Sequence, residues 1–148
     1  MATGSELLRA LLALPEKERL AELATLSAAE REEFHYHWKL WGRDAQQPPA
    51  GAWNAWLICA GRGFGKTRAG AEWVRLMAKR NPEARIALVG ASLAEVRAVM
   101  VEGESGILAV SPPGRVPEFE PSLRRLSWPN GARAFLYSAA EPESLRGP

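Results

Sequence analysis

Between Ala60 and Thr67 the chain reads Ala-Gly-Arg-Gly-Phe-Gly-Lys-Thr, and these residue types together suit one chemistry, the holding of a polyphosphate. Gly61, Gly63 and Gly65 let a backbone turn sharply and approach phosphate oxygens with no Cβ in the way. The amide hydrogens of such a loop, and the N-terminus of a helix that follows it, present partial positive charge to an anion. Lys66 would neutralise β- and γ-phosphates, and the Thr67 hydroxyl would help to hold magnesium. The spacing fits the phosphate-loop pattern G-x-x-x-x-G-K-[ST], except that Ala60 stands where the first glycine belongs. A glycine-rich turn that binds nothing is the alternative. Strand signal, glycines, Lys-Thr and helix signal in the required order favour a nucleotide.

Such a loop needs a strand before it and a helix after it. Trp56 to Ala60 is a short apolar run that suits a buried central strand, with Cys59 as a small buried residue in its middle. A helix follows from about Lys66 to Lys79, with Ala69, Trp73, Leu76 and Met77 on one face and Arg68, Arg75 and Lys79 on a solvated one. Asn81-Pro82 ends it, Arg85 to Gly90 reads as a second buried strand, and Ser92 caps a helix through Leu93, Val96 and Met100. That alternation predicts a parallel sheet with right-handed crossovers. After the Pro112-Pro-Gly loop, strands are expected near 116–120, 123–128 and 133–138. Pro129-Asn-Gly131 forms the hairpin turn between the last two, Asn-Gly supplying positive φ angles.

Ahead of this core, the residues from Ser5 to about Trp41 read as helices. Ser5 caps a first one carrying Leu7, Leu8, Leu11 and Leu12, and Pro15 opens a second with leucines at 20, 23 and 26. Ser27-Ala-Ala-Glu30 is a capping box for a third, through Phe34 towards Trp38 and Trp41. His35 and His37 lack the further partners zinc requires, and Trp38 and Trp41 suit a buried face better than a stacked base. Gln46 to Gly51 is a proline-rich connector. The expected organisation is a helical segment over 1–45 and a nucleotide-binding domain over 46–148. The fold class is α/β: a P-loop NTPase with a parallel sheet core, a helical N-terminal segment and a β-hairpin region near the C-terminus.

Bulk composition narrows the function classes. Content of 47% apolar and 24% charged residues is that of a globular chain rather than a disordered one. A net charge of +2 carries no strong electrostatic footprint for nucleic acid, so DNA contacts must come from local patches or further segments. A single cysteine rules out an internal disulfide framework and suits the cytosol. No membrane span or secretory leader is visible. A magnesium-dependent NTPase also needs an acidic residue at the end of a neighbouring strand and a group that orients water. No apolar strand after Thr67 ends in Asp-Glu, and Glu118, Glu120, Glu141 and Glu143 read as loop or edge charges. The chain therefore reads as the N-terminal part of a longer protein, with slow hydrolysis expected of it alone.

Taken together, these motifs resemble the large terminase subunit of tailed phages, including the versions in gene transfer agents. The resemblance covers roughly residues 38–148. It rests on Trp53-x-x-Trp56 leading into Gly-Arg-Gly-Phe-Gly-Lys-Thr-Arg-Ala-Gly-Ala-Glu-Trp73, on Ala-Leu-Val-Gly-Ala91, and on Val-Met-Val-Glu-Gly-Glu-Ser-Gly-Ile-Leu108. Trp-Pro-Asn-Gly-Ala132, Leu-Tyr-Ser-Ala139 and Leu-Arg-Gly-Pro148 complete it. The resemblance implies an ATP-driven motor, cofactors ATP and magnesium, that threads double-stranded DNA into a preformed capsid in the bacterial cytoplasm. Implied partners are the portal, the capsid, a small terminase subunit and further copies of the chain in a ring. A C-terminal nuclease domain, the acidic pair and the coupling motif belong to the family pattern and not to these residues.

By position, the resemblance gives the loop Ala60, Gly61, Arg62, Gly63, Phe64, Gly65, Lys66 and Thr67 to the nucleotide, with Thr67 on magnesium. Arg62 matches an arginine that reaches the γ-phosphate or a switching carboxylate, the alternative being a surface arginine. Gln46 matches an adenine-reading glutamine, whose amide both donates and accepts, or else is an ordinary linker residue. Arg146 matches an arginine finger acting on a neighbouring subunit, or else is a solvated loop residue. Two rivals remain at this level: a helicase-like DNA translocase, which would continue into a second motor domain, and a non-catalytic nucleotide-binding or assembly module.

Overall fold

The computed structural model describes residues Gly4–Glu143, and the chain divides into two compact units, Met1–Trp56 and a second that begins at Leu57. The division falls at the start of the phosphate-loop segment rather than at the proline-rich connector.

The first unit is helical: α1 (Gly4–Ala13), α2 (Glu16–Thr25), α3 (Ala28–Tyr36), α4 (Trp38–Trp41) and a 3₁₀ turn over Asp44–Gln46. Helix α1 already includes Ser5, so that residue is not its cap. The capping box is present in both directions. The Glu30 amide donates to Ser27 Oγ at 3.3 Å, and the Ser27 amide donates to Glu30 Oε2 at 2.8 Å. The third helix stops at His37 instead of running on to Trp41. Trp41 folds back, its indole donating to the Phe34 carbonyl at 2.8 Å and packing edge-on against that ring. Among the described residues of this unit only Gln46 is buried, and Leu12, Leu20 and Trp41 are exposed.

The second unit holds α5 (Lys66–Arg80), β1 (Arg85–Gly90), α6 (Leu93–Glu95) continuing as a π-helix over Val96–Val101, α7 (Ile107–Val110), β2 (Glu118–Glu120), β3 (Arg125–Ser127) and β4 (Arg133–Ser138). Its sheet has the order β1-β4-β3-β2 and is mixed: β1 and β4 run parallel, while the other two pairs are antiparallel. Helices α5 and α7 and the π-helix bury one sheet face, with Val74, Ala78, Val96, Val101, Ile107 and Val110 packed on Leu88, Leu126, Ala134 and Leu136. Ala87 and Val89 on the other face of β1 stay exposed, so β1 is buried on one side only.

Three sequence expectations are corrected here. Trp56–Ala60 is not a strand: its backbone makes no ladder, Leu57 is 81% exposed and Cys59 is exposed. An apolar run becomes a strand only where another backbone satisfies its amides and carbonyls, and no described strand lies beside this one. On α5 Ala69 is buried as expected, together with Ala71, Glu72, Val74 and Ala78, whereas Trp73, Leu76 and Met77 are only half-buried. At the hairpin, Gly131 has φ +105 but Asn130 keeps a negative φ. The Gly131 amide donates to the Trp128 carbonyl and the Trp128 amide to that of Ala132, the pattern of a three-residue loop closing on a glycine bulge. The Asn130 side chain bridges the loop to α5, its Oδ1 accepting from the Ala132 amide and its Nδ2 donating to the Ala78 carbonyl.

Candidate nucleotide-binding site

The loop before α5 is shaped by two glycines in the left-handed region, Gly63 at φ +75 and Gly65 at φ +87. A side chain is strained there, which accounts for glycine at both positions. Gly65 is also the N-cap of α5, and no side chain caps that helix end. The first-turn amides of a helix lack intrahelical acceptors, and such an end favours an anion.

Lys66 opens the helix. Its ammonium donates to the carbonyls of Ala60 at 2.7 Å and Gly61 at 2.8 Å, so the lysine is folded onto its own loop. Thr67 follows, exposed, with Arg62 exposed in the loop itself. Arg62, Gly63, Gly65, Lys66, Thr67 and Arg68 form one wall of a cleft of about 490 Å³. That volume lies within the usual range for small-molecule sites, roughly 300–1,000 Å³.

The opposite wall comes from the chain that follows β1: Ala98 and Val99 of the π-helix, and the turn Gly103, Glu104 and Ser105. In the chain this wall follows the carboxyl end of β1, which runs parallel to β4. Two features build the turn. A Cβ on Gly103 would lie 2.8 Å from the Val99 carbonyl oxygen, and one on Gly106 would lie 2.6 Å from that of Val101. Both glycines are therefore fixed by close backbone approach. Arg97 pairs with Glu102 in a forked contact at 2.9 and 3.1 Å, which holds the Glu102 carboxyl below the ordinary glutamate range. Wide π-turns of this kind recur beside functional sites.

Two residues of the site escaped the sequence reading. Glu104 lines the cleft as its one carboxylate among the described residues, and the signal for it was its place between two glycines. Glu72 is the second. Arg68 and Arg75, expected on a solvated face, instead converge on Glu72, which is 2% exposed. Arg68 Nε donates to Oε1 at 2.9 Å, and Arg75 donates to Oε2 at 2.6 and 3.0 Å.

The structure thus brings Arg62, Gly63, Gly65, Lys66 and Thr67 to one cleft, while Gly61 offers its carbonyl to Lys66. Ala60 contributes a carbonyl to Lys66, and Phe64 is half-buried within the loop. Gln46 belongs to the first unit, buried, with its side-chain carbonyl accepting from the Arg43 amide at 2.9 Å. Arg146 lies outside the described residues.

The arrangement is a glycine-lined, mostly cationic cleft at a helix N-terminus, in a unit whose sheet contains one parallel pair. Residues 57–148 match the family described as terminase large subunit, T4likevirus-type, N-terminal. The chain belongs to that family, the large subunits of phage DNA-packaging terminases. No curated protein and no solved structure matches the chain. No helix among the described residues is long and apolar enough to cross a membrane.

Proposed function

We propose that the second unit is a P-loop NTPase core whose cleft binds ATP with magnesium, and that the chain is the ATP-binding part of a motor that drives double-stranded DNA into a capsid. The observation that supports it most is the convergence of Arg62, Lys66 and Thr67 on one cleft at an uncapped helix N-terminus. A polyphosphate satisfies all of these groups together. The loop amides receive phosphate oxygens, Lys66 exchanges its two carbonyl contacts for the β- and γ-phosphates, and Arg62 closes over the γ-phosphate.

The residues present suit magnesium. No group of three or more metal-ligating His, Cys, Asp or Glu side chains occurs among the described residues. Magnesium is ordinarily held by one or two protein oxygens plus phosphates and water, rather than by a protein cage. Thr67 Oγ1 would supply one such oxygen, with the Glu104 carboxylate placed across the cleft to accept from its water shell. When bound, the ion neutralises charge on the phosphate oxygens. Family membership supports DNA and the packaging apparatus as partners. A ring of copies on a portal, a small terminase subunit, and Arg146 acting as a finger on a neighbouring copy complete the proposal.

Titration calorimetry with magnesium and ATP on the folded chain tests it. Saturable binding is expected, and Lys66→Ala should weaken it by at least about 100-fold, the loss of more than one charge-assisted contact. Absence of binding by folded wild-type protein would overturn the nucleotide reading.

A further inference from the structure

The first turn of α5 carries the wrong charge for a helix in isolation. It holds Lys66 and Arg68 and no acidic residue. Cations at a helix N-terminus oppose the macrodipole, and Lys66 alone already answers the requirement for a phosphate-neutralising lysine. Arg68 is nevertheless held in place by a carboxylate that has been withdrawn from water. The Glu72 side chain is 1% exposed, against 36% for Arg68 and 19% for Arg75. Burying a carboxylate is costly unless both oxygens are matched, and here they are, one oxygen to each arginine. Such an arrangement adds little as a stabilising device, because apolar residues of similar volume serve a core at least as well. It does fix one thing, the direction of the Arg68 guanidinium, and Arg68 is one of the residues lining the same cleft as Lys66 and Thr67.

We infer that Arg68 is a further triphosphate-binding residue and that Glu72 is the positioning residue that aims it, with Arg75 occupying the second carboxylate oxygen. This rests on the nucleotide reading of the cleft. The buried ion pair is one turn long, Arg68 to Glu72 at i and i+4. Rotation of Arg68 is therefore limited by its own helix, and the guanidinium is organised before any ligand arrives.

Affinities of the folded chain for magnesium-ATP, ADP and adenosine test the assignment, with thermal melting in parallel. Arg68→Ala should weaken ATP and ADP by about 10- to 100-fold, the scale of one charge-assisted contact, and leave adenosine unchanged. Glu72→Gln should produce the same phosphate-selective loss, although Arg68 is still present. A merely structural role for Glu72 would lower the melting temperature and weaken all three ligands alike. Should Glu72→Gln not fold, Arg68→Lys decides: a lysine keeps the charge without the fork on Glu72, so it should bind ATP several-fold more weakly than wild type. Wild-type binding of ATP with Arg68→Ala within twofold of it would overturn this inference while leaving the nucleotide site intact. No ATP binding by the wild type would instead remove the reading on which it rests.

Discussion

At the scale of single residues, the cleft lining is mostly cationic, Arg62, Lys66 and Arg68 against Glu104 among the described residues. Lys66 is satisfied by two carbonyls of its own loop, a contact that a phosphate can replace without opening any packed core. Arg97 and Glu102 behave differently, as a self-contained pair. The hydrogen bond from Arg97, aided by its charge, holds the Glu102 carboxyl below the ordinary glutamate range. A carboxyl whose native pKa lies below its unfolded one stabilises at pH above the ordinary glutamate range, and that contribution fades as pH falls through the lowered native value. Both partners are well exposed, so the effect on global stability is small. Side-chain NMR titration should place Glu102 below the ordinary glutamate range and move it back towards that range in Arg97→Ala. An unshifted Glu102 in the wild type would show that the pair does not form in solution. Lys66, Thr67 and Arg62 were legible because a glycine-rich loop ending in Lys-Thr has few other uses. Glu72 was not, since Arg-x-x-x-Glu on a helix reads equally well as a solvated pair, and only burial distinguishes the two. Glu104 was hidden for a related reason: its neighbours in the cleft come from a segment more than thirty residues away in the chain, roughly the length of a whole βαβ unit.

At the scale of elements, the wall opposite the loop depends on backbone approach more than on side-chain packing. Ser92 caps the helix after β1, its hydroxyl accepting from the Glu95 amide at 3.2 Å, and that start was readable from the sequence. The change to π-helix at Val96 was not, because its apolar residues carry the same spacing in either helix. The turn that follows tests the backbone argument. A Cβ at Gly106 would meet the Val101 carbonyl oxygen at 2.6 Å, whereas one at Gly61 would meet nothing within 4 Å. Gly106→Ala should therefore lose about 1–3 kcal/mol in urea unfolding, the usual scale of overpacking a tight site. Gly61→Ala, at a position without positive φ, should stay within about 0.5 kcal/mol of wild type, as substitutions away from packed or strained features do. Equal losses in the two variants would mean that the turn is not held as described. Strands β1 and β4 were legible from their apolar runs. Trp56–Ala60 has the same signal and forms no ladder, because periodicity reports what a segment would bury and says nothing of whether a partner backbone is beside it.

At the scale of the whole molecule, the two units differ in how they hold together. The second has a contiguous core from Val74 to Leu136, while the first has exposed leucines and no buried apolar side chain among its described residues. Helical spacing announced the helices of the first unit but could not announce that their apolar faces stay half-open. The motor reading makes its sharpest demand at this scale, since the cleft holds several cations and, among its described lining residues, Glu104 as the only carboxylate. On the nucleotide reading such a lining holds a triphosphate and offers a single carboxylate towards water, so the isolated chain should turn over ATP very slowly. If hydrolysis is completed by Arg146 of a neighbouring copy in the assembled motor, two defects should complement each other. Arg146→Ala subunits keep the cleft and should retain ATP binding while losing about 10³- to 10⁵-fold in hydrolysis, the range for an arginine finger. Lys66→Ala subunits lack the cleft lysine but retain Arg146. Mixed rings of the full-length protein should recover part of the activity wherever a Lys66→Ala copy offers its finger to an Arg146→Ala cleft. Recovery that rises and then falls with the mixing ratio is the expected pattern. Mixtures no more active than the weighted sum of the two variants would place Arg146 outside the neighbour's site.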